Sequence, residues 1–204
     1  MMRAAVIVFP GTNCDRDTKM ACEGAGWETD HVWHSERSLK KYDAVILPGG
    51  FSYGDYIRSG RLAKFSPVMD AVKRYVKEER GVVLGICNGF QILCESGLLP
   101  GVLTDNMNAR FICKNVSLGM NGSEITLPIA HGEGRYICDN VPEDMIFLTY
   151  KDNPNGSVKD IAGLYDRDKR IIGMMPHPER AFFRETGNTD GRRIFEMIGK
   201  AVRS

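Results

Sequence analysis

No stretch of the 204 residues approaches the ~20 consecutive apolar residues that span a bilayer. A membrane role is therefore not expected. Charge of one sign is scarce too. Twenty-seven Lys plus Arg stand against 26 Asp plus Glu, leaving no electrostatic footprint for nucleic acid or an acidic membrane. The basic cluster Lys73-Arg74 and Lys77 alternates with apolar residues and reads as the wet face of a helix. Ala4–Phe9 is too short for a signal-peptide core and lacks a small-residue cleavage site, so a cytoplasmic protein is expected. None of the six cysteines sits in a C-x-x-C pair. In a reducing compartment most should be small buried hydrophobes rather than disulfide or metal partners. There is no G-x-x-x-x-G-K-[ST] loop for ATP and no metal-ligand spacing. Repeats, low-complexity segments and linker-like composition shifts are absent as well, which implies one domain over residues 1–204.

What is present alternates. Ala4–Phe9 is a continuous apolar run closed by Pro10-Gly11, as expected of a strand buried on both faces. A helix is expected over Asp15–Glu23, ending at Gly24, and strands over Thr29–Trp33 and Ala44–Leu47. Ser66-Pro67 offers an N-cap and a proline at the first helical position. Val68, Val72, Tyr75 and Val76 then recur at helical spacing until Gly81. Val82–Ile86 reads as a fourth buried strand, followed by a helix facing inward through Phe90, Leu93, Cys94, Gly97 and Leu98. This order predicts an α/β fold with a doubly wound, mostly parallel sheet. Phe111–Leu118, Ile125–Ile129, Phe147–Tyr150, Ile161–Tyr165 and Arg170–Met174 read as shorter strands, with 166–169 as a hairpin connection. They predict an added antiparallel element in the second half. A last amphipathic helix uses Ile194, Phe195, Ile198 and Val202.

Gly85-Ile86-Cys87-Asn88-Gly89-Phe90-Gln91 falls between a predicted strand and a predicted helix. That context is the thiol form of the nucleophile elbow. Gly85 and Gly89 let strand and helix backbones approach closely, and the helix N-terminus favours a thiolate. The Asn88 amide is placed to bind an oxyanion. A buried core cysteine is the ordinary alternative, which this context outweighs for Cys87 and leaves standing for Cys94. A nucleophilic thiol needs a base and an orienting group. In His177-Pro178-Glu179 the proline biases His177 towards an extended backbone, where residues two apart point the same way. Glu179 can then hold the His177 imidazole. His31 and His34 have no acidic partner at useful spacing and are expected to be structural. Pro48-Gly49-Gly50-Phe51 ends a strand, where Gly50 could supply a second oxyanion amide or simply make a tight turn.

Together these segments resemble the class I (triad) glutamine amidotransferases, a flavodoxin-like family marked by G-x-C-x-G-x-Q after a strand, an upstream Gly-Gly turn and a late H-x-E. The resemblance implies a Cys87–His177–Glu179 triad acting on L-glutamine, oxyanion amides from Gly50 and Asn88, and substrate contact through Gln91. Phe9-Pro10-Gly11-Thr12-Asn13-Cys14-Asp15, Gly49–Tyr56, Ala130-His131-Gly132-Glu133-Gly134 and Pro176–Arg180 further resemble the glutaminase subunits of phosphoribosylformylglycinamidine synthases. For such a subunit the resemblance implies ammonia delivery to a large synthetase subunit, which binds ATP and magnesium and amidates formylglycinamide ribonucleotide in purine biosynthesis. A small bridging subunit is implied as well, and no cofactor in this chain. One segment departs: the subgroup pattern N-x-S-x-x-F meets Asn108 in place of the serine within Asn106–Phe111, and Phe111 is carried over as a substrate contact. Asp55, Tyr56 and Arg58 are expected to meet a partner. His131 is expected in a solvated turn, at the pocket mouth or against the synthetase, and not as the base. Competing readings are another acceptor pathway, a peptidase-like or glyoxalase-like hydrolase, and a non-catalytic scaffold.

Overall fold

A computed structural model describes all residues except Arg80, Arg167, Lys169 and Ser204. In chain order the elements are β1 (Arg3–Val8), α1 (Asp15–Gly24), β2 (Glu28–Trp33), β3 (Ala44–Leu47), α2 (Pro67–Arg74), β4 (Val82–Ile86) and α3 (Asn88–Glu95). There follow β5 (Val102–Thr104), β6 (Ile112–Met120), β7 (Ser123–His131), β8 (Arg135–Ile137), β9 (Ile146–Tyr150), β10 (Ile161–Tyr165), β11 (Ile171–Met174) and α4 (Arg192–Arg203). Nine strands form one sheet in the order β2-β1-β3-β4-β11-β10-β9-β6-β7. Its first five are parallel, and every pairing from β11 outward is antiparallel.

Within the parallel half the central strands are apolar runs, while the edge strand β2 (ETDHVW) is half exposed. β3 and β4, AVIL and VVLGI, are buried throughout, because helices cover both faces. The antiparallel β6–β7 pair alternates instead, with Ile125, Leu127 and Ile129 inward and their neighbours outward. The chain leaves β1 towards β2 on one side and later towards β3 on the other, so the carboxyl ends of β1 and β3 diverge into a crevice. Open sheets bind ligands at such a switch point.

Several boundaries differ from expectation for local reasons. Gly24 is the last helical residue of α1 and the left-handed turn falls on Gly26, at φ 82°. The lack of a side chain at Gly24 instead makes room for Phe182, whose ring a Cβ there would meet at 2.7 Å. Ser66 sits extended at the N-cap of α2, yet its hydroxyl bonds the Tyr53 hydroxyl at 2.7 Å rather than capping the helix. α2 runs on through a π-turn over Tyr75–Glu79. The small β5–β8 sheet was not anticipated; three-residue strands carry too little periodicity to read. The β10–β11 hairpin is present, with Asp166 Oδ1 accepting from the Arg170 and Ile171 amides at 2.7 and 2.8 Å. Within that predicted connection, Arg167 and Lys169 lie outside the described residues. Among the described residues no helix is long and apolar enough to cross a membrane.

Candidate active site

Strand ends converge on one pocket, a cavity of about 170 Å³ walled by residues at the ends of β1, β3, β4 and β7 and in the segment after β11. At the end of β4, Cys87 adopts φ 51°, ψ −105°, a left-handed backbone that a non-glycine residue takes only when its surroundings hold it there. The flanking glycines show what does. A Cβ on Gly89 would lie 1.9 Å from the Leu47 carbonyl oxygen, and one on Gly85 2.6 Å from Leu93. Strand and helix backbones are therefore pressed together, and the turn between them has no slack. The Cys87 amide donates to the Met174 carbonyl at 2.7 Å, tying the elbow to β11. As the first residue of α3, Asn88 has an amide with no intrahelical acceptor.

His177 follows β11 with an extended backbone, φ −102°, ψ 90°, as the succeeding proline demands. Its Nδ1 lies 2.7 Å from Glu179 Oε1, and both side chains are buried. Burial pushes the imidazole down, but the Glu179 carboxylate and the Cys87 sulfur outweigh it, so His177 stands well above its ordinary value. Nε2 of His177 has no hydrogen-bond partner among the described residues. Cys87, His177 and Glu179 are thus brought together as the sequence spacing suggested.

The Gly50 turn is held from two sides. Thr12 and Gly50 form an antiparallel bridge in which the Phe51 amide donates to Gly11 at 3.0 Å and the Cys14 amide to Gly49 at 3.2 Å. The bridge does not use the Gly50 amide. From the other side, Asn88 Oδ1 accepts from the Ser52 amide at 3.2 Å, so the elbow and the glycine turn are joined by one side chain. Asn88 Nδ2 also donates to Gln91 Oε1 at 2.9 Å, and Gln91 Nε2 reaches the Glu133 carbonyl. Gln91 is therefore buried in the pocket wall, while Phe111 stands exposed at the mouth beside Gly132.

Other expectations shift. Asp55 belongs to the pocket wall rather than to an outer face. Burial, helped by Glu133 and opposed by hydrogen bonds, holds its carboxyl up at about 6. Arg58 is ion-paired with the buried Glu95. Of the three proposed partner contacts, Tyr56 stays exposed, together with its neighbour Ile57. His131 is not solvated. It is buried in the pocket wall with Nδ1 3.0 Å from Asn106 Oδ1, and burial together with nearby His177 pulls it down to about 4. A Cβ on Gly134 would collide with its ring at 2.2 Å, which explains the glycine. Asn108, the departure from the subgroup pattern, closes a turn by accepting from the Arg110 amide at 3.0 Å. His34 bonds the Tyr53 hydroxyl at 3.0 Å, the structural role expected of it. His31 does find a carboxylate, Asp15 at 3.5 Å, because α1 packs beside β2, which sequence spacing cannot show. Cys94 is a core residue whose thiol burial pushes well up. Cys14, Cys22, Cys87 and Cys94 are buried, as expected of most of the cysteines, while Cys113 is exposed and Cys138 partly so.

Two pocket residues, Cys14 and Arg180, were missed as individual site residues. Cys14 Sγ accepts from Arg180 Nη2 at 3.1 Å. Ligating atoms of Cys14, His177 and Glu179 lie within 4.8 Å of one another, a metal-type donor set assembled from residues far apart in sequence. The guanidinium on the sulfur already supplies the positive charge that a cation would bring. The available signal was position: Cys14 lies just past the carboxyl end of β1, where open sheets build their sites.

Residues 1–197 match the CobB/CobQ-like glutamine amidotransferase domain. The chain belongs to this glutamine amidotransferase family. It is 49% identical to the phosphoribosylformylglycinamidine synthase subunit PurQ of Synechococcus sp. (strain CC9605), over 97% of this chain and 99% of that one. Against a subunit of the same name from Thermus thermophilus it is 49% identical, over 98% of this chain and 99% of that one. Its fold superposes on a chain of the PurLQS structure from Thermotoga maritima with a TM-score of 0.92 at 40% identity, covering 98% of both chains. The amidotransferase fold accounts for the parallel half of the sheet and for the elbow at its centre.

Proposed function

We propose that the chain is the glutaminase subunit of a phosphoribosylformylglycinamidine synthase, with Cys87, His177 and Glu179 as its catalytic triad. The observation that carries the triad is the meeting of a strained thiol elbow with a buried imidazole–carboxylate pair in one pocket. Asp55 and Glu133 on one wall suit the ammonium group of an amino acid.

In this mechanism the Cys87 sulfur attacks the side-chain amide carbon of L-glutamine, forming a C–S bond. The carbonyl oxygen becomes an oxyanion that accepts from the Gly50 and Asn88 amides. His177 protonates the departing nitrogen as the C–N bond breaks, releasing ammonia and leaving a thioester. Neutral His177 then takes a proton from water, whose oxygen attacks the thioester. Glutamate leaves and the thiol is restored. Glu179 stays ionised and holds the imidazole throughout.

Ammonia released into water would be protonated and lose its nucleophilicity, so a synthetase docked over the pocket mouth is required. The exposed side chains Phe51, Tyr56, Ile57 and Phe111 are apolar or aromatic and belong to the loops at or beside that mouth. ATP, magnesium and formylglycinamide ribonucleotide belong to the synthetase in this reading, and a small third subunit bridges the two.

The test is glutamate release by the purified chain, alone and with synthetase, ATP, magnesium and formylglycinamide ribonucleotide, beside Cys87→Ala. The expected result is strong stimulation that Cys87→Ala abolishes, with kcat down on the order of 10⁴-fold or more. Stimulation by the synthetase of a different acceptor pathway, with none by this one, would overturn the pathway. Turnover by Cys87→Ala would overturn the nucleophile.

A further inference from the structure

Glu179 has two carboxylate oxygens but uses only one of them. Oε1 serves His177 Nδ1 at 2.7 Å, whereas Oε2 is buried with no hydrogen-bond partner among the described residues. A guanidinium lies near this carboxylate. Arg180 Nε is 3.9 Å from Glu179 Oε1, a long separation for groups that normally close into a bidentate pair. A sulfur, rather than the carboxylate, takes the guanidinium's close hydrogen bond. Arg180 Nη2 donates to Cys14 Sγ at 3.1 Å, and Cys14 is 2% exposed.

The sulfur is itself fixed. The Cys14 amide donates to the Gly49 carbonyl, and its thiol lies 3.2 Å from Asn13 Oδ1. Gly49 completes the fit, since a Cβ there would come within 2.7 Å of His177 Cε1 and 3.1 Å of Cys14 Sγ. The loop Pro10–Cys14 is therefore joined to the Gly50 turn by backbone bonds and to the segment that carries His177 by the Cys14 sulfur. Cys14 is neither the nucleophile, the base nor an oxyanion donor, although a hydrogen bond from its side chain also helps to raise His177.

We propose that Cys14 is a positioning residue: its sulfur holds the Arg180 guanidinium off Glu179, leaving that carboxylate to orient His177. This inference rests on the triad reading. Without the sulfur, Arg180 swings onto Glu179, takes the vacant Oε2 and draws Oε1 from the imidazole. The charged form of His177 then loses its main support, and Cys87 beside it becomes harder to activate. The groups facing His177 are Glu179 and Arg180 on its own segment, Cys14 from the loop before α1, Cys87 from the elbow and His131 from the end of β7.

The experiment follows the pH dependence of Cys87 alkylation by iodoacetamide, read on the Cys87 peptide by mass spectrometry, with glutaminase kinetics in the full complex alongside. In Cys14→Ala the alkylation limb should move to higher pH by at least half a unit. Its kcat should fall about tenfold with KM changed less than threefold. Cys14→Val, which fills the space without accepting a hydrogen bond, should behave alike and guards against a folding defect in the alanine variant. Cys14→Ser, which keeps an acceptor, should return most of the wild-type limb. In an Arg180→Ala background, Cys14→Ala should move the limb no further. A wild-type limb in both Cys14→Ala and Cys14→Val overturns the proposal. So does an undiminished shift in the Arg180→Ala background, since Cys14 would then act without the guanidinium. Cys87→Ala separates the two levels: if it is inactive while the Cys14 variants match wild type, the triad stands and only this inference fails.

Discussion

At the scale of single residues, the site is governed by where protons rest. His177 and His131 lie in one pocket and are driven in opposite directions, His177 up by Glu179 and Cys87, His131 down by burial and by His177. The pair therefore has a division of labour: one imidazole is prepared to carry charge and the other is kept neutral to bond Asn106. For His131 the consequence for stability has a definite sign. Its folded value of about 4 lies below the ordinary 6.5, so the unfolded chain takes up the proton first. The stability it contributes is complete above pH 6.5 and is lost as pH falls towards 4, by up to about 3 kcal/mol. Asp55 runs the other way over an overlapping window, because its carboxyl is held up at about 6. Urea unfolding of wild type and His131→Gln at pH 4.5 and 7 isolates the histidine. The variant should lose less stability on acidification, and equal losses would refute the assignment.

At the scale of elements, the decisive contact is that of α3 with the strands beneath it. Gly89 sits where any side chain would enter the Leu47 backbone at 1.9 Å. Backbone cannot step aside as a flexible side chain can. Gly89→Ala should therefore cost at least ~3 kcal/mol and lower Tm by roughly 6–12 °C, and thermal denaturation checks this. A loss below 2 °C would mean that α3 can slide outward without harm to the packing. The loop after the Gly50 turn makes the opposite case. Ile57, β-branched and exposed, is held at φ 75°, and Tyr53 and Asp55 are left-handed nearby. Ile57→Gly should raise the stability of the isolated chain by about 1 kcal/mol, or roughly 2–4 °C in Tm.

At the scale of the whole molecule, that strain acquires a purpose. A loop holding a large apolar side chain in water at a conformational cost is built to meet something. Ile57→Gly should therefore stabilise the subunit yet weaken stimulation of its glutaminase by the synthetase at least fivefold, while activity of the chain alone changes little. Titrating synthetase against wild type and variant measures it, and equal stimulation would remove Ile57 from the interface. The two halves of the sheet carry separate duties in the same way. The parallel strands present Cys87, the Gly50 turn and His177 at their carboxyl ends. The antiparallel strands bring Ala130–Glu133 across as the facing wall.

Much of this was legible in the residues themselves. Apolar runs marked β1, β3 and β4, because strands buried on both faces leave no polar position. Gly85 and Gly89 around Cys87 marked the elbow, because only glycine tolerates such an approach, and His177-Pro178-Glu179 placed base and carboxylate on one side of an extended segment. All of these are local consequences of covalent geometry. Asn121-Gly122, left-handed at both positions in the β6–β7 hairpin, was a local signal of the same kind that went unread. Contacts across the fold were beyond the sequence: Cys14 against Arg180, Asn88 tying the elbow to Ser52, His31 beside Asp15, and His131 buried rather than wet. Each joins elements whose separation along the chain says nothing about distance in space. Periodicity and turn chemistry thus determined which residues could do the chemistry. Tertiary packing alone decided which neighbours hold them, because burial and charge proximity exist only once the strands have been set side by side.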